Sequence, residues 1–456
     1  MPYSRATAAR TRPRDAHLAP EVLRARHLLL GLYGLLGLTV SSWLARLPSV
    51  RSALDLTTGQ IGTILLVGAL GSLMTVLVAG GAVARWGSRA VLTTAAVVFS
   101  VATVLMGLGP TLGSVAVLVA GIFGMSMSFA LGNVPMNVEA AVVERRMGRT
   151  VVPQFHAAFS VGSVVGSLIG AATAWGQVPV LVQFSAVALV ALVWRLLAIP
   201  GAVLPLARAV THLPPGAPAP TRGAGLRTAL SAWRERRTLL IGVVVMTAAL
   251  SEGSANNWLA IAVVDGFAET EAVGALVFGV FVASMTVSRL AGTRLIDRFG
   301  RVPVLAGSGV VSLLGLALFG LAPSLPLAAV GVAAWGLGAG LAVPIGMAAA
   351  SDDPLRAAGR VAVVSAFASV ASISAPPVLG MVAEAVGIRQ ALLFICVGMV
   401  VSIVLSGRVQ RLEEIDGRTL PDTLPEGLDA AAVTPSLPFE GTHPAELRRE
   451  PAVAAR

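Results

Sequence analysis

Apolar residues fall along the chain in blocks of about 20, the length a helix needs to cross a hydrocarbon core of ~30 Å. They lie at roughly 27–47, 60–83, 90–109, 114–143, 154–175 and 179–199. After an interruption they resume at 238–259, 272–293, 303–322, 327–349, 361–386 and 390–407. Two sets of six predict an all-α polytopic membrane protein with twelve transmembrane helices. A transmembrane β-barrel would instead show short alternating segments. The first block is too long for a signal-peptide core and no convincing cleavage pattern follows it, so it reads as a retained span.

The polar intervals divide the rest. Residues 1–26, with Arg5, Arg10, Arg12, Arg14, Arg24 and Arg26 among small residues, read as a disordered cytoplasmic arm touching anionic headgroups. Residues 27–199 form an N-terminal six-helix bundle and 238–407 a C-terminal one. Between them, 200–237 is a cytoplasmic linker in which Pro200, Pro205, Pro214, Pro215, Pro218 and Pro220 prevent regular folding. The tail 408–456, rich in Pro, Gly, Asp and Glu, reads as disordered. Loop arginines set orientation: Arg85 and Arg89, Arg145, Arg146 and Arg149, Arg294, Arg298 and Arg301, and Arg356 and Arg360 share one side. The loops near 110–113, 176–178 and 323–326 have none, while Arg46, Arg51 and Arg389 break the trend. The positive-inside bias then puts both termini in the cytoplasm of a cell whose inner membrane holds the chain.

Composition narrows the chemistry. A mean hydropathy of +0.82 with 12% charged residues lies outside the soluble class, where about 25% is usual. The net charge of +10 resides in short loops and tails, leaving no basic domain for nucleic acid. All 33 basic residues are Arg, so no Walker A lysine and no Schiff-base lysine exist. Any uphill transport must draw on a gradient or a separate subunit. The single cysteine, Cys396, excludes disulfides within the chain and thiolate metal clusters. No metalloprotease, Cys-x-x-Cys or nucleophile-elbow pattern is present, so no enzyme activity, cofactor or metal is expected.

An internal repeat fixes the relation of the halves. Ser41–Ala45 (SSWLA) matches Asn256–Ala260 (NNWLA), and Arg85-Trp-Gly-Ser-Arg89 matches Arg298-Phe-Gly-Arg301. Asn133-Val-Pro-Met136 matches Ala342-Val-Pro-Ile345, and Gly148-Arg149 matches Gly359-Arg360. Six spans is an even number, so the repeats run parallel about an axis along the membrane normal.

Six plus six spans, with a loop motif after the second and eighth, resemble the major facilitator superfamily. That family's motif reads Gly-x-x-x-Asp-Arg-x-Gly-Arg. The second half carries Asp297, Arg298, Gly300 and Arg301, with Thr293 where the leading Gly belongs. The first half keeps Gly80, Arg85, Gly87 and Arg89, but Ala84 replaces the acid. The resemblance implies alternating access, a monomer, and a conformational clamp on the motif Asp that the first half lacks. More narrowly, Trp43…Arg46-Leu-Pro48, Gly132–Glu139 (GNVPMNVE), Phe155-His156 and Glu252–Trp258 (EGSANNW) resemble a bacterial subgroup near the fucose-permease-like sugar transporters.

Polar residues at membrane depth are the candidate site. On the fourth span Asn133 and Asn137 share a face around Pro135, and Glu139 follows; the resemblance to sugar carriers implies a protonatable acid on this span. His156, the one histidine well inside a predicted span, is of a residue type suited to proton exchange near neutral pH, the alternative being a histidine hydrogen-bonded to backbone near the headgroups. A Glu139–His156 pair is the proton-coupling expectation, against simple pairing of Glu139 with Arg145 and Arg146. Glu252, Asn256 and Asn257 on the seventh span, with Trp43, are the remaining substrate candidates. Gly253 suggests that this span is broken, as the resemblance implies. Arg46 and Arg51 either steer an anionic solute or snorkel to headgroups. Gly162, Gly166 and Gly170 form a small-residue packing ridge.

The expectation is a secondary transporter of a small, sugar-like polar solute, coupled to H⁺ and surrounded by lipid. An H⁺-antiporting efflux pump and a non-transporting membrane sensor are the alternatives.

Overall fold

The computed structural model describes residues 19–148, 151–204, 232–352 and 356–410. Most of the expected arm, the linker from 205 to 231 and the tail from 411 lie outside them. All regular structure among the described residues is helical. The first half contains α1 (Pro20–Leu44), α2 (Leu47–Ala53), α3 (Thr58–Thr111), α4 (Val115–Met147), α5 (Val152–Trp175) and α6 (Val180–Ala202). The second contains α7 (Arg236–Phe267), α8 (Glu271–Phe299), α9 (Arg301–Leu321), α10 (Leu325–Ala339), α11 (Ala342–Ala350), α12 (Ala357–Val386), α13 (Ile388–Ala391) and α14 (Ile395–Leu405).

Eleven described helices are long and apolar enough to span a membrane, Leu325–Ala350 and Ile388–Val409 each counting as one. The 54-residue α3 holds two spans, because Gly87 interrupts it with φ 79° and ψ 157°. Gly300, its repeat counterpart between α8 and α9, has φ 81° and ψ 167°. Only glycine enters that region freely, so both loop motifs turn on a residue without Cβ. The twelve spans follow.

Local signals place the helix starts. Thr57 and Gln60 form a reciprocal capping box on α3, with Gln60 N donating to Thr57 Oγ1 at 3.2 Å and Thr57 N to Gln60 Oε1 at 2.9 Å. Thr270 caps α8. Glu144 accepts the Val151 and Val152 amides at 2.7 and 2.9 Å and so caps α5 across the turn from α4. Helix α1 begins well before residue 27: Pro20 suits a first helical turn, and Val22, Ala25 and Leu29 are buried. The break expected in the seventh span is absent, since α7 runs uninterrupted through Gly253. Irregular spans among the described residues include the first, which turns at Ala45–Arg46, the tenth, which breaks between α10 and α11, and the twelfth, where a short 3-10 stretch separates α13 from α14.

We call the face where α1 begins proximal and the other distal. Within the first half, the glycine ridge of α5 lies on α1. A Cβ at Gly162 would stand 1.8 Å from the Gly34 carbonyl oxygen, and one at Gly166 2.2 Å from that of Leu38. The ridge therefore holds two helices of one bundle together. Between halves, the first arm of α3 meets α12 and α5 meets α8. A Cβ on Gly62 would lie 2.5 Å from the Pro376 oxygen, one on Gly380 2.5 Å from the Thr58 oxygen, and one on Gly279 2.8 Å from Ser167 Oγ.

Several proximal ion pairs lie inside one half. Glu21 pairs with Arg146 at 3.4 Å, and Asp352 bridges Arg237 and Arg301 at 3.1 and 2.6 Å. Arg301 of the loop motif thus ties α9 to the starts and ends of its own bundle. Asp297 is exposed.

Glu235, just ahead of α7, takes Arg360 at 2.6 Å, Arg356 at 3.5 Å and Thr238. Burial pushes its carboxyl up, but the Arg360 and Thr238 hydrogen bonds and both positive charges outweigh this and hold it below the ordinary value. A lowered folded-state value stabilises the protein above the unfolded pKa and loses that contribution as pH falls through the folded one. Glu235→Gln should therefore lower the unfolding temperature at neutral pH, with the difference from wild type shrinking on acidification below the ordinary Glu range. A pH-independent difference in melting curves would contradict this.

Replacing Gly166 with Leu should cost about 1–3 kcal/mol through forced helix separation. Gly81→Ala, where no atom lies within 4 Å, should leave the melting temperature unchanged or raised. Equal losses in the two variants would refute the packing account.

Candidate functional site

A central cavity of ≈ 280 Å³ lies between the halves, lined from α1, α3, α4, α7 and α12. Its polar groups are Ser72, Ser126, Asn256, Asn257 and Ser372; its rings are Trp43 and Phe129. No ionisable side chain is among the lining residues. Gly253 faces open space, so α7 presents a bare backbone patch beside the two asparagines. Trp43 is only 2% exposed and meets Phe184 edge-on, 6.3 Å between centroids. It forms a fixed wall.

A second polar group lies towards the proximal face. Tyr33 donates to Asn137 Oδ1 at 3.0 Å, and Asn137 in turn donates to the Asn133 carbonyl at 2.9 Å and to the Asn133 side chain. Tyr33 also stacks on Phe155 and meets His156 edge-on at 5.7 Å. Across the gap, Arg289 of α8 forms a two-pronged pair with Glu252, both distances 2.9 Å, and its Nε donates to the Gly340 carbonyl at 3.3 Å. That carbonyl is available because the tenth span breaks there. Arg289 is also close enough to act electrostatically on His156. His156 and Asn137 are exposed although helices surround them, so they border a watered opening.

Glu139 sits elsewhere. It is 3% exposed, with the Ser88 side chain and the Leu204 backbone as its polar neighbours and Arg146 acting at range. His156 has a different set, Tyr33 and Arg289. The expected Glu139–His156 partnership is therefore not assembled in this conformation. The acid nearest the cavity along the chain is Glu252, which precedes the lining residue Gly253 on α7 and pairs with Arg289.

The halves are tied at the distal face. Arg46 is 4% exposed; it donates to Gln183 Oε1 at 2.8 Å, Thr173 Oγ1 at 3.2 Å and the Val178 carbonyl at 3.1 Å. Its Nε lies 3.2 Å from Glu271 Oε1, and Glu271 also accepts the Ser49 amide at 2.9 Å and the Ser49 hydroxyl. Arg51 pairs with Asp265, and Glu384 accepts the Gly59 amide at 3.0 Å. Buried in this way, Arg46 does not snorkel to headgroups; it joins the first half to Glu271 of the second. Outside these contacts a vestibule of ≈ 1000 Å³ carries Arg51, Asp55, Asp265, Glu384 and Arg389. Tied distally, and with Asn137 and His156 exposed between the helices on the other side, the molecule faces the proximal side.

Arg289, Tyr33 and Gln183 escaped the sequence reading. A signal existed for Arg289: it is a charge inside the apolar block 272–293, about one turn from its end.

Twelve parallel-repeat spans, two glycine-turned loop motifs and a cavity between bundles define a secondary-transporter fold. The Major Facilitator Superfamily model matches residues 29–361 and 241–424, and the chain belongs to that superfamily. It is 30% identical over 370 residues to the uncharacterized transporter y4wD of Sinorhizobium fredii, covering 81% of this chain and 93% of that protein. Among solved structures, the nucleoside transporter NupG aligns with a TM-score of 0.66 at 16% identity, covering 84% of this chain and 98% of NupG. The E. coli fucose:proton symporter FucP aligns at 0.59 and 14%, covering 86% and 99%. These two likenesses are of fold.

If Arg46 and Glu271 hold the distal gate, Arg46→Gln and Glu271→Gln should shift the population towards distal-open. Spin labels at Asp55 and Gln390 would report this as a longer interlabel distance. Unchanged distance distributions would exclude the pair from gating.

Proposed function

We propose that the chain carries a small uncharged polar solute, sugar-like in its hydroxyls and size, by alternating access and in exchange for or together with H⁺. The observation that carries this reading is the central cavity: an amide pair, three serines and aromatic walls, with charges kept out. Asparagine amides donate and accept at once, which suits hydroxyl groups, and buried polar contacts of this kind discriminate strongly against analogues lacking them. A charged solute would meet no countercharge there. The neighbouring folds include a nucleoside transporter and a fucose:proton symporter, which agrees with a polyhydroxylated cargo.

For coupling, Glu252 is the best-supported acid. Its carboxylate is one residue from the bare Gly253 patch and is balanced by Arg289. Protonating Glu252 would release Arg289 towards the opening where His156 lies. The second candidate is Glu139, acting from inside the first bundle. The loop-arginine bias supports a cytoplasmic proximal face in the inner membrane, so the present conformation would be open to the cytoplasm.

A thermal-shift screen against sugars, nucleosides, organic acids and cationic drugs identifies the class, followed by uptake in proteoliposomes. Stabilisation by organic acids or drugs alone would refute a neutral cargo. Asn256→Ala and Asn257→Ala should each weaken apparent affinity about two- to tenfold, the value of about 0.5–1.5 kcal/mol for one hydrogen bond. Glu252→Gln should abolish pH-driven accumulation while sparing counterflow. Wild-type accumulation in Glu252→Gln but loss in Glu139→Gln would move coupling into the bundle.

A further inference from the structure

Arg195 of α6 is 94% buried, being only 6% exposed, and is not among the residues lining the central cavity. Its guanidinium stands over the Phe99 ring at 4.5 Å. Its Nη2 has no hydrogen-bond partner, and none of the described ion pairs includes it. It borders a void of ≈ 30 Å³ whose other walls are apolar, apart from Ser128. The Ser128 hydroxyl is turned back on its own helix, towards the Gly124 and Met125 carbonyls at 2.8 and 2.9 Å. Glu139, on the same face of α4 beyond Met136, has Ser88, Leu204 and Arg146 as its neighbours rather than Arg195.

A lone guanidinium in such surroundings is costly. Burial of an unpaired ion remains costly even after relaxation, and one cation–π contact offsets only part of that cost. Arg keeps its proton, so neutralisation by proton loss is closed to it. The void exceeds the roughly 10–15 Å³ that one water needs, but a water would leave the charge unbalanced. An anion would balance it. The size admits a single small ion and excludes phosphate or an organic carboxylate, and the apolar walls favour a weakly hydrated one.

We infer that Arg195 and the adjoining void form an internal site for one small monovalent anion of the halide class. The occupant locks α3, α4 and α6 of the first bundle around a neutralised charge. The site is independent of the cargo reading, since it opens on neither Asn256 nor Glu252.

The test is the unfolding temperature of the purified full chain in detergent, with sodium chloride or bromide exchanged for sodium gluconate at constant ionic strength. Wild type should show a saturable upward shift with either halide, by mass action on the folded state. Arg195→Met, which fills the void with an uncharged chain, should show none. No halide-specific shift in wild type, as expected for water only, would overturn the site, as would an equal shift in Arg195→Met. Should that variant fail to fold, bromide-soaked wild-type crystals decide. An anomalous peak beside the guanidinium supports the site, and its absence when bromide saturates the thermal shift overturns it.

Discussion

Hydrocarbon offers no hydrogen-bond partner, so every polar group in a span must be matched by protein or by water admitted for a purpose. This constraint orders the molecule. Hydroxyls such as Thr39, Thr75 and Thr103 fold back onto carbonyls of their own helices, at 2.7, 2.8 and 2.8 Å. Arg46 is satisfied by side chains and a carbonyl drawn from α5, α6 and their connection, and by an acid from the other half. The polar groups left exposed among packed helices, His156 and Asn137, then mark where solvent enters.

The interface between halves has two components of different character. Small residues bring backbone against backbone at Gly62 and Gly380, and backbone against the Ser167 side chain at Gly279. Ion pairs and amide caps supply the remainder, concentrated at the distal face. Partly exposed pairs are weak individually, about 0–1 kcal/mol, and water can replace their partners as the face opens. Such an interface can hold one state without trapping it. Arg389 plays a different part: its donation to the Phe319 and Ala322 carbonyls and its position over Phe267 finish the distal ends of helices within one bundle.

Much of the candidate site was legible because its signal is local. Asn256 and Asn257 stand out against an apolar run, Gly253 beside them has no side chain, and Glu252 is an acid at membrane depth. The partner of Glu252 was not legible: Arg289 lies 37 residues away on a helix whose rotation no local pattern discloses. Glu139 illustrates the converse. As an acid near an asparagine pair it looked like a cavity residue, but α4 turns it to the face that packs on the start of the third span and the end of the sixth. Tyr33, one of two tyrosines, became part of the site only because α5 brings Phe155 and His156 against it.

The sequence by itself determined the spans, their pairing into parallel repeats and the two loop motifs on whose glycines the chain turns. Bilayer thickness, flanking charge and a left-handed backbone position each act on a few consecutive residues, so each leaves a mark readable in one dimension. Tertiary structure decided which arginine meets which acid, which face of α4 sees water, and which membrane face is shut. Those outcomes depend on the rotation and depth of each helix against its neighbours, and a helix acquires both only when the others are in place.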